Sequence, residues 1–219
     1  MQYVLVNNGY VINGPRAWNY RSFQSTLEEE LEINIALPFQ KYDNEPILIN
    51  DTTKILPATL VYPEYNVKIE YLDGPYWTYE NDFATGTFEV KEQPVEYVKQ
   101  SLINKVASNR YIKECAGTKV TVQDTEVSVD TSREGRAIFV QAYSLMQDTD
   151  TIKWKFPESW LTLTKAELGQ VVTAGVNHVQ ESFNWESDKT DEINNCTTLQ
   201  ELDEIDVGDN PPFPIVNGV

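Results

Sequence analysis

The spacing of apolar and polar residues is clearest over residues 160–207, where it predicts a short strand followed by two helices. Thr164 precedes Glu167 by three positions at the start of an apolar run, which is the capping-box pattern of a helix N-terminus. Beyond it, apolar and small residues recur at helical spacing and predict one buried face: Leu168, Val171, Val172, Gly175, Val179, Ser182 and Phe183. A Thr-x-x-Gln pattern at residues 197–200 predicts the second helix.

Residues 1–93 carry the short alternating runs and turn signals of a β-rich module. Asn8-Gly9 lies between two apolar runs and predicts a tight hairpin, because these residues adopt the positive φ angles of its turn. The Gly-Pro pairs at residues 14–15 and 74–75 are interpreted as turns. A helix is expected at residues 18–31, capped by Ser22, Ser25 or Thr26. Further strands are expected at residues 31–37, 46–50, 54–61, 67–72 and 85–90.

From Pro94 onward the pattern becomes mostly helical. Pro94 suits the first turn of a helix that continues to about Cys115. A hairpin, a helix and a pair of strands are then expected at residues 119–129, 130–146 and 152–163. The predicted fold is therefore α+β. Its parts are a β-rich module over residues 1–93, a mostly helical module with a small β-hairpin over residues 94–207, and an extended proline-rich tail over residues 208–219.

The charge balance limits the partners of this chain. It has 34 acidic against 17 basic residues, a formal net charge of −17. Phosphate backbones need a basic surface, so nucleic-acid binding is not expected, and anionic membranes are disfavoured for the same reason. The sequence has no apolar run of 18 residues and no segment that resembles a secretion signal. Neither secretion nor membrane insertion is expected.

No residue pattern predicts catalysis, a metal site or a cofactor. His178 is the only histidine, and its place between the apolar stripe and the polar face of a helix is typical of a helix-surface or core-edge residue rather than of a triad base. Cys115 and Cys196 lie far apart in the sequence, which favours reduced, half-buried thiols over a zinc site. The acidic residues at positions 203, 206 and 209 do not follow the spacing of a calcium loop.

Two groups of residues are candidates for a protein interface. The first belongs to an aromatic-rich stretch over residues 62–88 and comprises Tyr76, Trp77 and Tyr79, which combine apolar area with a polar tip. Glycan binding and simple core packing are the alternatives for these three side chains. The second group lies in the proline-rich tail, whose prolines are already stiff and lose little entropy on docking. It comprises Pro211, Pro212, Phe213, Pro214 and Ile215.

The second half of the chain also carries a series of short motifs. They are Asn109-Arg110-Tyr111, the hairpin at residues 120–129, Asp130-Thr131-Ser132-Arg133, Trp154-Lys155-Phe156, the LTLTKAEL segment at residues 161–168, His178-Val179-Gln180 and the TTLQELD segment at residues 197–203. In these features residues 94–207 resemble an uncharacterised domain family found in bacteriophage tail and tail-fibre-associated proteins. The family has no established catalytic residues to assign to this chain.

The resemblance implies a non-enzymatic virion component of the tail, baseplate or fibre-attachment region, made in the host cytoplasm and located in the tail region of the virion. An adaptor of this kind would be held by protein–protein contacts with other tail, fibre or baseplate proteins. It would be present in multiple copies or as a homo-oligomer. The alternatives are a tail-fibre assembly chaperone and a receptor- or glycan-binding tail module.

Overall fold

The structure is a computed structural model of the chain, and it describes residues 1–41 and 43–208. The chain forms two compact units, Met1–Gln93 and Pro94–Val219. The first is rich in β-strands and the second is more helical, with small hairpins. The α+β fold class predicted from the sequence is therefore confirmed.

The first unit is built on one sheet that curves into a half-barrel. Its elements in chain order are β1 Gln2–Asn7, β2 Tyr10–Arg16, α1 Tyr20–Glu29, β3 Ile47–Leu48, β4 Thr53–Val61, β5 Glu70–Glu80 and β6 Phe83–Glu92. The strand order is β2-β1-β4-β6-β5, and the short β3 pairs with β4. Strands β4 and β6 are parallel, whereas the other neighbours are antiparallel.

The β1–β2 hairpin turns at Asn8 and Gly9, as the sequence predicts. Their φ angles are 50° and 81°. Two successive residues with positive φ give a turn whose twist matches that of the flanking strands. A local signal of two residues was therefore sufficient to locate this hairpin.

The two Gly-Pro pairs lie inside strands, so their interpretation as turns is wrong. The pair at residues 14–15 belongs to β2 and the pair at residues 74–75 to β5, and both peptide bonds are cis. A Cβ atom on Gly14 would lie 2.5 Å from the carbonyl oxygen of Tyr3 on the neighbouring strand, so this position has no room for a side chain. A register shift in the β5–β6 ladder accommodates the second pair.

Residues 31–37 alternate in polarity but form no strand, contrary to expectation. Their alternation follows packing instead: Leu37 is buried and Ile33 is half-buried against the same core. The backbone reverses at Glu32, which has a φ of 56°, and the amide of Ile33 then donates to the carbonyl of Leu27 at 2.7 Å. An extended segment can thus show period-two burial without pairing to a sheet.

Helix α1 begins at Tyr20 and is capped by Asn19 rather than by Ser22, Ser25 or Thr26. The side-chain oxygen of Asn19 accepts the amide of Ser22 at 3.2 Å. Thr26 is buried in the second turn of the helix instead. The cap prediction was therefore wrong by three to seven residues.

Alternate residues of β1 pack on opposite sides of the sheet, which has an apolar cluster on each face. One cluster joins Tyr3 and Leu5 to α1 and the segment after it. The other joins Val4 and Val6 to Leu56, Ala58 and Ala84, with Val11, Trp77 and Tyr79 packed against them.

The second unit surrounds one long helix. Its elements are α2 Val95–Cys115, β7 Thr118–Val122, β8 Thr125–Val129, α3 Arg133–Leu145, β9 Thr151–Lys155, β10 Trp160–Thr164, α4 Lys165–Asn195 and α5 Leu199–Glu204. The four strands form two antiparallel hairpins, β7–β8 and β9–β10. Helix α4 packs against α2, α3 and the β7–β8 hairpin. The core of the unit contains Val122, Val127, Val129, Phe139, Met146, Phe156, Leu163, Leu168 and Val171.

The predicted capping box starts α4. The hydroxyl of Thr164 accepts the amide of Glu167, and the carboxylate of Glu167 accepts the amide of Thr164 at 2.8 Å. Helix α5 has a second capping box, formed by Thr198 and Glu201, one residue later than the Thr-x-x-Gln pattern indicated. Both helices therefore begin at sites that their local sequence encodes.

Candidate functional site

The three aromatic candidates of the first unit do not form one surface. Tyr76 is exposed, whereas Trp77 and Tyr79 are half-buried against the Val4 cluster. They lie on one strand, β5, in which successive side chains point to opposite faces. Burial of Tyr79 raises the pKa of its hydroxyl. Trp77 and Tyr79 thus contribute to the core of the sheet, and only Tyr76 faces outward.

The hydroxyl of Tyr76 already has a partner. It donates to the Asp73 carboxylate at 2.5 Å, and Lys91 on β6 pairs with the same carboxylate. Lys91 and the Tyr76 hydroxyl together lower the pKa of Asp73, and Asp73 raises the pKa values of Lys91 and Tyr76. This cluster lies on the exposed side of the β5–β6 ladder, where water screens its charges.

The second group of candidates lies outside the described residues. Pro211, Pro212, Phe213, Pro214 and Ile215 follow Gly208, the last residue that the structure describes in this unit. The nearest described feature is the side chain of Asn109 on α2, which donates to the carbonyl oxygens of Val207 at 2.8 Å and Gly208 at 3.0 Å. The start of the tail is therefore held against α2.

An open apolar surface of the second unit is a groove between α3 and α4, here called the α3/α4 groove. It encloses about 440 Å³ and is lined by Val129, Asp130, Arg133, Arg136, Ala137, Phe139, Val140, Val171, Val172, Gly175 and Val176. Val140 on α3 is 48% exposed and Val176 on α4 is 54% exposed. Paired helices that leave apolar side chains open along a groove form a typical binding surface for a peptide segment.

The polar residues of the α3/α4 groove are largely engaged elsewhere. One oxygen of Asp130 accepts the amide of Ser132 at 2.8 Å, and Arg136 pairs with Glu114 at 2.5 Å. Arg133 is exposed and makes no ion pair within the described part of the chain. The groove therefore presents apolar side chains with one available guanidinium at its end.

Beneath the groove, Glu114 joins three helices through buried ion pairs. Its side chain is 4% exposed and contacts Arg110 on α2 and Arg136 on α3. Arg110 also pairs with Glu186 on α4 at 3.0 Å, and its guanidinium lies over the ring of Phe183. Two arginines neutralise the buried carboxylate of Glu114, and their ion pairs fix the positions of α2, α3 and α4 relative to one another.

The C-terminal end of α2 is capped by side chains from other elements. Nε2 of His178 lies 2.7 Å from the carbonyl oxygen of Lys113, and the hydroxyl of Thr131 donates to the carbonyl of Glu114 at 2.6 Å. A carbonyl only accepts hydrogen bonds, so Nε2 of His178 carries the proton. His178 is 5% exposed and thus belongs to the packed interior rather than the helix surface.

Lys113 has the most unusual environment among the described cations. The residue is 5% exposed, and its ammonium lies 4.0 Å from the centre of the Trp185 ring. Burial lowers the pKa of Lys113, while Asp206 acts in the opposite direction. A cation over an aromatic face is favourable in a desolvated site, which explains how the fold holds this lysine.

Both cysteines are free and half-buried, as the sequence predicts. Cys115 lines a second cavity of about 490 Å³, shared with Ser128 and Trp154. Burial raises the pKa of the Cys196 thiol, helped by Glu201 and Glu192. Over residues 1–41 and 43–208, no group of His, Cys, Asp and Glu side chains could hold a metal ion. No described helix is long and apolar enough to cross a membrane.

The α3/α4 groove and the Glu114 ion pairs were not predicted from the sequence. Their residues come from segments separated by up to 76 positions, as in the pair of Arg110 with Glu186. No curated protein and no solved structure matches the chain significantly. One protein family, described as a domain of unknown function (DUF4376), matches residues 97–208, which include α3, α4 and the groove between them. Because this match covers half of the sequence, the chain belongs to the DUF4376 family.

Proposed function

We propose that this protein is a non-enzymatic structural component of a bacteriophage virion, an adaptor of the tail, baseplate or fibre-attachment region held by protein–protein contacts. The observation that carries the proposal is the open α3/α4 groove, with Val140 and Val176 exposed at its edges. Exposed apolar surface of this kind is costly to keep in water and is typical of a contact site.

The chemistry of the groove favours binding of a protein segment over turnover of a substrate. A catalytic pocket brings several polar groups to one point where a reacting atom can sit. In the groove, Asp130 accepts the amide of Ser132, and Arg136 pairs with Glu114. Arg133 is the remaining charged residue of the lining. The remaining lining residues offer only contact area and shape.

The location in a virion tail is supported by the resemblance of residues 94–207 to proteins of phage tails. The excess of acidic residues fits a subunit that must stay soluble before assembly, since a large net charge keeps free copies apart. The expected partners are other tail, fibre or baseplate proteins, with several copies of this chain in each particle.

The test is the composition of purified particles of the phage that encodes this chain. Quantitative mass spectrometry of the virions should find the protein at a fixed ratio to the major tail protein. A Val176→Asp variant should be depleted from particles, whereas Gln180→Glu, which adds the same charge at an exposed position of the same helix, should be retained. Absence of the wild-type protein from mature virions would overturn the proposal and favour a tail-fibre assembly chaperone.

A receptor- or glycan-binding role is the second candidate, and one observation favours it. Tyr71 and Tyr76 are 44% and 45% exposed on β5, with Asp73 and Lys91 beside Tyr76. Aromatic faces flanked by charged hydrogen-bonding groups suit the apolar and hydroxylated sides of a sugar ring. A glycan array with the wild type and Tyr76→Ala tests it: the role requires binding that the variant loses, and an array without bound sugars removes it.

A further inference from the structure

The lining of the α3/α4 groove has few hydrogen-bond acceptors, so it favours an occupant whose backbone has few N–H groups. Asp130 is the one carboxylate among the described lining residues, and one of its oxygens already accepts the amide of Ser132. Arg133 can donate, because its guanidinium makes no ion pair within the described part of the chain. An occupant with many backbone N–H groups would leave them unpaired, which is costly in an apolar site.

A proline-rich apolar segment meets this requirement, because proline has carbonyl oxygens and no N–H group. Residues 211–216 of this chain, PPFPIV, contain three prolines and the apolar side chains of Phe213, Ile215 and Val216. Such a segment is already stiff before it binds, so docking costs little conformational entropy. Its carbonyl oxygens can accept from Arg133.

The position of the tail origin argues against docking in the groove of the same chain. Gly208 packs against Trp185 on α4, since a Cβ atom built on it would lie 3.5 Å from that ring. Trp185 and Val176 are nine residues apart, which at 3.6 residues per turn is two and a half turns and puts them on opposite sides of α4.

The distances lead to the same conclusion. Nine residues of helix span about 14 Å along the axis, and half the circumference of a helix with its side chains adds about 16 Å across it, so the path is about 21 Å. Phe213 is five residues beyond Gly208, and five fully extended residues reach at most about 18 Å. Phe213 would therefore reach the groove beside its own helix only with the backbone of residues 208–213 fully extended, a limit that the groove of a second copy does not impose.

From these observations we propose that residues 211–216 of one copy dock in the α3/α4 groove of a second copy. This inference rests on the proposed function and names one partner for it, the chain itself. The contact joins two different surfaces, the tail of one copy and the groove of the next. Each copy contributes one tail and one groove, so the copies can form a closed ring or an open chain.

The charges of the chain are compatible with such a contact. Two whole copies repel each other, since each has a net charge of −17. Residues 209–219 contain one charged side chain, that of Asp209. A nearly neutral tail can therefore connect two acidic copies while several residues of chain hold their charged surfaces apart. Salt weakens the electrostatic repulsion between charges at such a separation.

The experiment measures the mass of the full chain in solution by light scattering over a concentration series. The wild type should exceed the mass of one chain as its concentration rises. Phe213→Asp removes the main apolar contact of the tail, and Val176→Asp introduces a charge in the groove. Each should weaken self-association by about ten- to a hundredfold, the effect of losing one large buried side chain. The controls Asn217→Asp and Gln180→Glu add the same charge beside each site and should associate like the wild type.

Mixing the two variants gives the decisive result. Phe213→Asp keeps an intact groove and Val176→Asp keeps an intact tail, so together they should form one defined two-chain complex. Circular dichroism checks that both are folded, and Val140→Asp, at another exposed position of the groove, repeats the test on α3. A wild type that stays a single chain, or variants that do not complement each other, would overturn the inference. The virion proposal would then still stand on the composition of particles.

Discussion

Nε2 of His178 in the middle of α4 donates to the carbonyl oxygen of Lys113 in the last turn of α2, at 2.7 Å. Carbonyl groups in the last turn of a helix have no partner within the helix. The carbonyl of Lys113 accepts the amide of Ala116 at 3.1 Å, and a histidine from a second helix supplies a further donor. Thr131 supplies a donor to the next carbonyl, that of Glu114. The side of α2 that packs on α4 thus ends in a defined, hydrogen-bonded geometry.

Replacing His178 should destabilise the second unit. His178→Ala leaves the carbonyl of Lys113 with the amide of Ala116 alone and removes a packed ring, which we expect to cost about 2–3 kcal/mol, most of it from the lost packing. His178→Gln keeps an amide donor near the position of Nε2 and should recover part of the loss. Urea unfolding followed by circular dichroism measures both, with the exposed Asn177→Ala as the control. Equal stability of His178→Ala and the wild type would contradict the capping role.

Glu114 should be the most sensitive polar residue of the unit. In Glu114→Gln the side chain keeps its shape, but Arg110 and Arg136 lose the carboxylate between them. Breaking a buried pair costs about 3–5 kcal/mol when the remaining charge is fully enclosed. Both arginines keep some access to water, so we expect the lower end of that range. Urea unfolding midpoints check this, against Glu181→Gln, an exposed glutamate on α4. A midpoint shift as small as that of the control would show that the pairs contribute little.

Stability should fall at acidic pH through a small set of hydrogen-bonded carboxylates. The hydroxyl and the amide of Ser128 donate to Glu158 and lower its pKa. Backbone amides at the capping boxes lower the pKa values of Glu167 and Glu201 in the same way. The unfolded chain therefore takes up protons first as the pH falls. The stabilisation is complete above the ordinary glutamate pKa of about 4.5 and is lost as the pH falls through the lower, folded values.

Glu158→Gln tests this pH dependence. The variant should be less stable than the wild type at neutral pH, and its stability should fall less steeply below about pH 4.5. Ser128→Ala removes the hydroxyl donor and should produce the same change. The double variant should add little to either single one, since both remove the same contact. Urea midpoints between pH 7 and pH 3 measure the slopes; parallel curves for variant and wild type would exclude the assigned role of Glu158.

The features predicted correctly from the sequence are those that a few neighbouring residues determine. The turn at Asn8-Gly9 needs two positive φ angles, and the capping box at Thr164 needs a hydroxyl and a carboxylate three residues apart. Neither depends on what packs against it. Such signals located the elements of both units and hence the α+β class.

The features that were missed depend on partners distant in the sequence. Gly74 looks like a turn residue, but the β5–β6 ladder continues past it because the pairing on either side outweighs the local preference. The sequence groups Tyr76, Trp77 and Tyr79 by their closeness in an aromatic-rich stretch, and it predicts a strand that ends before them, at residue 72. On a continuous strand, neighbours face opposite sides, and this rule alone separates Tyr76 from Trp77.

The α3/α4 groove shows the same limit. Val171 and Val172 are adjacent on the apolar stripe of α4 and both line the groove, yet Val171 is fully buried and Val172 is half-buried. Helical periodicity gives the direction in which a side chain points but not how far the neighbouring helix extends. Glu114 and Arg136 are likewise 22 residues apart, and no local pattern links them.

Substitution by alanine should change the stability of the second unit in opposite directions at two of its glycines. A Cβ atom on Gly175, in the middle of α4, would lie 3.9 Å from Val129, an ordinary contact. Gly175→Ala should therefore stabilise the unit by about 0.5–1 kcal/mol, because alanine restricts the unfolded chain and favours the helix. A Cβ atom on Gly135, in the first turn of α3, would lie 2.5 Å from the carboxyl group of Asp130 and 2.7 Å from its carbonyl oxygen.

The side chain of Asp130 could rotate away from a methyl group at position 135, but its backbone carbonyl cannot move without shifting the start of α3. Gly135→Ala should therefore lose stability by about 1–3 kcal/mol, as expected for overpacking against backbone. Urea unfolding of both variants checks the pair, and the exposed Asn177→Ala shows the effect of a substitution to alanine elsewhere on α4. Because helix propensity alone favours alanine at both positions, a gain in Gly135→Ala as large as that in Gly175→Ala would mean that the first turn of α3 does not approach Asp130 this closely.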